Sequence, residues 1–108
     1  MITEPLSEQF RVIAKLWVDA DHAASLMEET RSTVLSEMII KVIGEHLDMP
    51  YNKAELAAKA SPEYKEFVTQ MVKHRSDANL LKVQLEYIRM RHSEQSSREA
   101  TARAESRL

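Results

Sequence analysis

From Leu6 onward the apolar residues recur as Leu6, Phe10, Ile13, Trp17, Ala20, Ala24 and Met27, in alternating steps of four and three. A mean period of 3.5 residues is the narrow stripe of a helix that packs in coiled-coil fashion. The stripe meets Arg31, drifts, and resumes through Val34, Leu35, Met38 and Val42 to His46. Between Val34 and Ile43 it broadens to include Ile39 and Ile40, and a broad stripe calls for more than one neighbour. A second series, Tyr64, Phe67, Met71, His74, Ala78, Leu81, Leu85, Ile88 and His92, keeps the same period with almost no drift. It leaves Val68, Val72, Leu80, Val83 and Met90 off the strict seam.

Only HLDMPYNKAELAAKASPEY, residues 46–64, looks like a place to turn. Asp48-Met49-Pro50 should stop the first helix, because the residue before proline avoids helical angles; Gly44 falls inside the pattern and is not the stop. Asn52 reads as a cap with Glu55 reaching back to it, opening a short helix whose apolar edge is Leu56, Ala57 and Ala60. Ser61-Pro62-Glu63 reads as a second start: the Ser caps, the Pro takes a position whose N–H is free, and the Glu suits the helix dipole. At the front, Thr3 or Ser7 could cap, with Pro5 in the first turn. One glycine and three prolines in 108 residues predict few turns.

The expected fold is all-α. Two long antiparallel helices, about 6–47 and 62–100, are joined by a short helix, about 53–59, as a coiled-coil-like hairpin. Tyr64, Phe67 and Met71 should lie near Val34 to Ile43 and the short helix, and Leu81, Leu85 and Ile88 beside Phe10 to Ala24. Residues 1–92 form the hairpin domain. Residues 93–108, with only alanines and a terminal leucine among Ser, Glu and Arg, form a helical extension or frayed tail. A lone hairpin leaves Leu16, Val18, Ala23, Leu26, Ile40, Leu80 and Val83 uncovered, so two hairpins are expected to pair as a homodimer or four-helix bundle. Trp17 points into the seam beside Ile13, Ala20 and Ala24, yet tryptophan is also enriched in binding hot spots. The candidate self-association residues are therefore Leu16, Trp17, Leu26, Ile40, Leu80 and Val83.

Hydrophobic residues make up 44% of the chain and charged ones 30%, which excludes bulk disorder. No window approaches the ~18 apolar residues of a membrane span, and no basic region followed by an apolar run marks a signal peptide. With no cysteine, thiolate metal sites and disulfides are out of reach, and a cytoplasmic protein is expected. Net charge is −2, divided unevenly. Residues 1–60 hold ten acids against six Lys/Arg, and residues 61–108 hold nine Lys/Arg against seven acids.

Candidate chemistry is sparse. Asp19 and His22 share a helix face with Asp21 beside them, but no Glu stands three residues before any histidine, as a di-iron bundle requires; no metal or cofactor is expected. His74 and His92 read as polar seam residues and His46 as a helix C-terminal residue. Glu28-Glu29 reads as a solvated pair opposite the stripe. No serine sits beside a base in a strained turn, and one glycine cannot build a phosphate loop, so no enzyme is expected. The best candidates for a partner or nucleic-acid site are Arg89, Arg91, Arg98, Arg103 and Arg107, interleaved with Glu94, Glu99 and Glu105.

Residues 53–107 resemble a loose class of small helical phage and prophage proteins that occur among recombination genes. The features are Ala-Ser-Pro-Glu-Tyr opening a long helix, Ser76-Asp77-Ala78-Asn79 midway, Tyr87, and the Arg/Glu/Ala end around Ser97 to Arg103. The resemblance implies a helical hairpin in a DNA-metabolism or host-takeover setting and brings no catalytic residues. The expected function is a non-enzymatic accessory that self-associates and binds a protein partner. Two alternatives stand beside it. One is a DNA-binding recombination accessory using the arginine arm. The other is an inhibitor of a host defence nuclease, whose acids Glu4, Glu8, Asp19, Asp21, Glu28, Glu29 and Glu37 imitate DNA.

Overall fold

A computed structural model describes residues 5–107, whose regular structure is three helices: α1 (Leu6–Glu45), α2 (Tyr51–Ala60) and α3 (Pro62–Ser106). Pro5 stands one place before α1, as its N-cap (φ −56°, ψ 150°). Its carbonyl accepts from the Glu8 and Gln9 amides at 3.0 Å each. Ser7 is thus inside the first turn, and Thr3 and Glu4 lie outside the described residues.

Helix α1 ends two residues earlier than its pattern suggested. His46 leaves the helical region (φ −135°, ψ 75°) while its amide still reaches the Val42 carbonyl, and the Met49 amide closes a turn on the His46 carbonyl at 2.9 Å. Stopping there lets Met49 fold back against the cluster built on Ile39, Ala54 and Ala58, and leaves Leu47 outside, 85% exposed. Pro50, at φ −62°, then starts α2 directly and no side chain caps it, so Asn52 is not the cap. Glu55 pairs forward with Lys59 at 3.0 Å instead of reaching back. The buried edge of α2 is also not the expected one: Ala54 and Ala58 are fully buried, whereas Leu56, Ala57 and Ala60 are exposed. Methyl groups one turn apart let the α2 backbone lie close over Ile39. Leu56, about 200° further round from Ala54, faces away.

Ser61 caps α3 as its sequence predicts, accepting from the Tyr64 amide at 3.2 Å, with Pro62 in the first turn. The seam is then a strict heptad. Tyr64, Met71, Ala78 and Leu85, each seven residues after the last, are all buried, with Ile88 beside them. Wholly buried Ala24 answers them from α1. The helices run antiparallel: Arg31 meets Tyr64, Asp21 and Glu28 meet Arg75, and Phe10 meets Arg89. In this register α3 begins opposite Arg31. The Leu35–Ile43 stretch is covered by α2, and Tyr64, Phe67 and Met71 lie further back along α1 than expected. The broad stripe has its second neighbour in α2.

The molecule measures 87 × 23 × 17 Å. Helices are about 10–12 Å across with side chains, so it is two helices thick at most. Beyond the level of Leu6, α3 continues to Ser106 with every residue exposed.

Two substitutions test this account of the corner by chemical denaturation. Ile39→Ala should cost about 2–4 kcal/mol, since it removes the centre of the cluster that joins α1 to α2 among the described residues. Gly44→Ala should stabilise by about 0.5–1 kcal/mol, because Gly44 is helical, its φ is not positive, and a methyl there meets nothing within 4 Å.

Candidate functional site

Arg75 projects from α3 across the edge of the seam and bonds to three side chains of α1. Its guanidinium donates to Glu28 through Nε and Nη2 at 2.9 and 2.8 Å, to Asp21 through Nη1 at 2.8 Å, and to the Ser25 hydroxyl at 3.2 Å. Asp21, Ser25 and Glu28 occupy one edge of α1 over two turns, so a planar fork docks between two carboxylates. Glu28 is therefore not simply solvated. The Arg75 hydrogen bonds hold its carboxyl below its ordinary range, and the two acids push the guanidinium pKa still higher. Nearer the corner, Arg31 Nε donates to the Tyr64 hydroxyl at 3.1 Å. Together these contacts set the sliding register of two otherwise similar rods. They are positional chemistry; Asp21 and Glu28 are held by a cation and are not paired as acid and base.

At the other end, the Arg89 guanidinium lies over the Phe10 ring, 5.8 Å from its centre. A shallow hollow of about 320 Å³ opens there, lined by Leu6, Ser7, Phe10, Ile88, Arg89 and His92. The expected arginine set is therefore divided. Arg89 is engaged at the seam, and Arg91 and Arg98 flank a polar notch with Leu6, Glu94 and Gln95. Arg103 and Arg107 lie at the far tip, exposed. Of the histidines, His74 is half-buried in the seam and His22 and His92 are exposed. Among the described residues no group of three or more His, Asp or Glu side chains could hold a metal ion. No described helix is long and apolar enough to cross a membrane.

The expected self-association residues fall on different faces. Trp17 is half-buried in the seam, Ile40 is exposed near the corner, and Leu16 and Leu26 are exposed along one flank of α1, interrupted by Asp19. Leu80 and Val83 belong to something larger. On the side of α3 turned away from α1, Leu80, Val83, Tyr87 and Met90 follow one another in steps of three, four and three, each 53–60% exposed. No family model, curated protein or solved structure matches the chain. What it can do is therefore read from these surfaces alone.

Two features were missed in the sequence although their signals were present. The Asp21-Ser25-Glu28 spacing marks an acidic edge two turns long, for which Arg75 is a mid-helix partner. The 3-4-3 spacing of Leu80 to Met90 marks a second, exposed apolar stripe, hidden because the seam on α3 is so regular.

The Glu28–Arg75 contact carries a pH signature. A carboxyl held below its ordinary value of 4.5 contributes stability that is present above that pH and drains away as pH falls through its folded value. Wild type should therefore be more stable than Glu28→Gln at pH 7 in urea unfolding, and the gap should narrow steadily as pH falls below the ordinary carboxyl value of 4.5. A gap that is flat with pH would show that the carboxylate charge contributes nothing.

Proposed function

We propose that this protein is a non-catalytic accessory that works by binding, associating with itself and with a protein partner through exposed helix faces. One observation carries the reading. Large apolar side chains such as Leu16, Leu26, Leu80, Val83 and Tyr87 stay about half exposed, while four of the nine buried residues are alanines. A monomer that leaves so much apolar surface wet and buries so little has more to gain from association than from its own core. The phage recombination setting rests on the resemblance of residues 53–107 and belongs to the same proposal.

The alternatives draw less support. Past His92, Arg98, Arg103 and Arg107 are balanced by Glu94, Glu99 and Glu105, and phosphate attraction needs an excess of positive charge. Of the acids that could imitate DNA, Glu8 is tied to Arg11, Asp19 to Lys15, and Asp21 and Glu28 to Arg75.

Affinity capture with the immobilised chain tests the reading against extract from a bacterial host. A protein other than the chain itself should be retained, and Leu16→Glu/Leu26→Glu or Val83→Glu should reduce the retained amount at least tenfold. Retention unchanged by both variants would overturn binding through these faces. A gel shift at low salt that responds to DNA would favour the arginine arm instead.

A further inference from the structure

The outer stripe of α3 has a pattern of flanking charge that points to its occupant. We infer that Leu80, Val83, Tyr87 and Met90 are the seam along which a second copy of this chain pairs, with the two α3 helices antiparallel about a two-fold axis near Leu85. This rests on the reading that the chain acts through its exposed helix faces, and it specifies one face and one partner.

With the axis there, Val83 faces Tyr87 of the other copy and Leu80 faces Met90, the alternating layers of an antiparallel coiled coil. The stripe ends in charge on both sides. Lys73 and Asp77 precede it, and Arg91 and Glu94 follow it. Antiparallel pairing brings Lys73 within a turn of Glu94 of the other copy, and Asp77 beside the other copy's Arg91. The two-fold axis repeats each pair. A parallel arrangement would instead set Lys73 against Lys73 and Glu94 against Glu94, so the charges select one orientation. All four side chains are exposed and, among the described residues, none makes an ion pair within its own chain. Glu86 would face its own copy across the axis, and Lys82 stands one turn away on the same helix to offset that repulsion.

The same geometry gives the projecting end of α3 a place to lie. Past the notch that Glu94, Gln95 and Arg98 share with Leu6, α3 runs on to Ser106 with every residue exposed among the described residues. In the pair residues 93–106 run along the outer face of the other copy's α3 from Asp77 toward Tyr64. The positions that continue the stripe inward there are Ser97, Thr101 and Ala104, small enough for close helix approach. This accounts for a helix that continues after its first seam has ended.

Sedimentation equilibrium and spin-label distances test the inference, and the absence of any native cysteine makes single labels unambiguous. The chain should sediment near twice its 12.4 kDa mass. Val83→Glu should weaken association at least a hundredfold with helix content by circular dichroism unchanged. Lys73→Glu should weaken it about tenfold, from two like-charge contacts, and Lys73→Glu/Glu94→Lys should restore it. A label at Gln84→Cys should report a short distance between copies. One at Ser97→Cys should report about 36 Å, because Ser97 lies level with Lys73 of the other copy, 24 residues away at 1.5 Å each. Short distances at both sites, or no restoration by the double swap, would overturn the antiparallel pairing. A dimer with long distances at both sites would place self-association on another face, leaving binding through helix faces standing while this seam fails. A monomer at 100 μM that still captures a partner protein would likewise end the inference and spare the broader reading.

Discussion

The whole molecule depends on one constraint: along most of its length each long helix has a single neighbour. A helix with one neighbour buries only a narrow stripe, and α3 does so with Tyr64, Met71, Ala78 and Leu85 at one heptad position and Ile88 at a second. Everything off that stripe is left to solvent whatever its chemistry. The wet leucines and valines are therefore a consequence of the architecture, and their arrangement decides what the surface is for.

A two-rod hairpin with a regular seam has a further difficulty. Heptad layers look alike, so the rods can slide by seven residues and still match. Here polar contacts break the tie. Arg75 fits between Asp21 and Glu28, Arg31 meets the Tyr64 hydroxyl, and Arg89 covers Phe10. Such partly exposed contacts add little to net stability, but a shifted register would leave each without its partner. At the corner the task is different: α2 lays Ala54 and Ala58 on Ile39 and closes the one place where α1 has apolar residues on two sides.

Over the described residues the molecule is a slender rod, so its charged side chains lie at or near the surface. Two of the interacting pairs, Glu28 with Arg75 and Glu8 with Arg11, hold their carboxylates in the ionised form at the surface. Long exposed faces suit recognition. The outer stripe on α3 is the face on which the proposed self-pairing rests, because charged residues of both signs flank it at either end.

The sequence by itself determined what is periodic or local: two long helices, the heptad from Tyr64 to Ile88, the Ser61-Pro62 start and the reversal near Pro50. These follow from spacing and backbone sterics, which neighbouring residues settle among themselves. Only the tertiary structure decided how far one rod lies along the other. That offset assigned Leu35 to Ile43 to α2, drew Glu28 out of its expected solvation into the Arg75 contact, turned Ala54 and Ala58 inward in place of Leu56, and left the end of α3 projecting. The reason is physical: a period specifies which face is buried but is nearly blind to translation along the axis, so partners across the seam emerge only when both helices are set side by side.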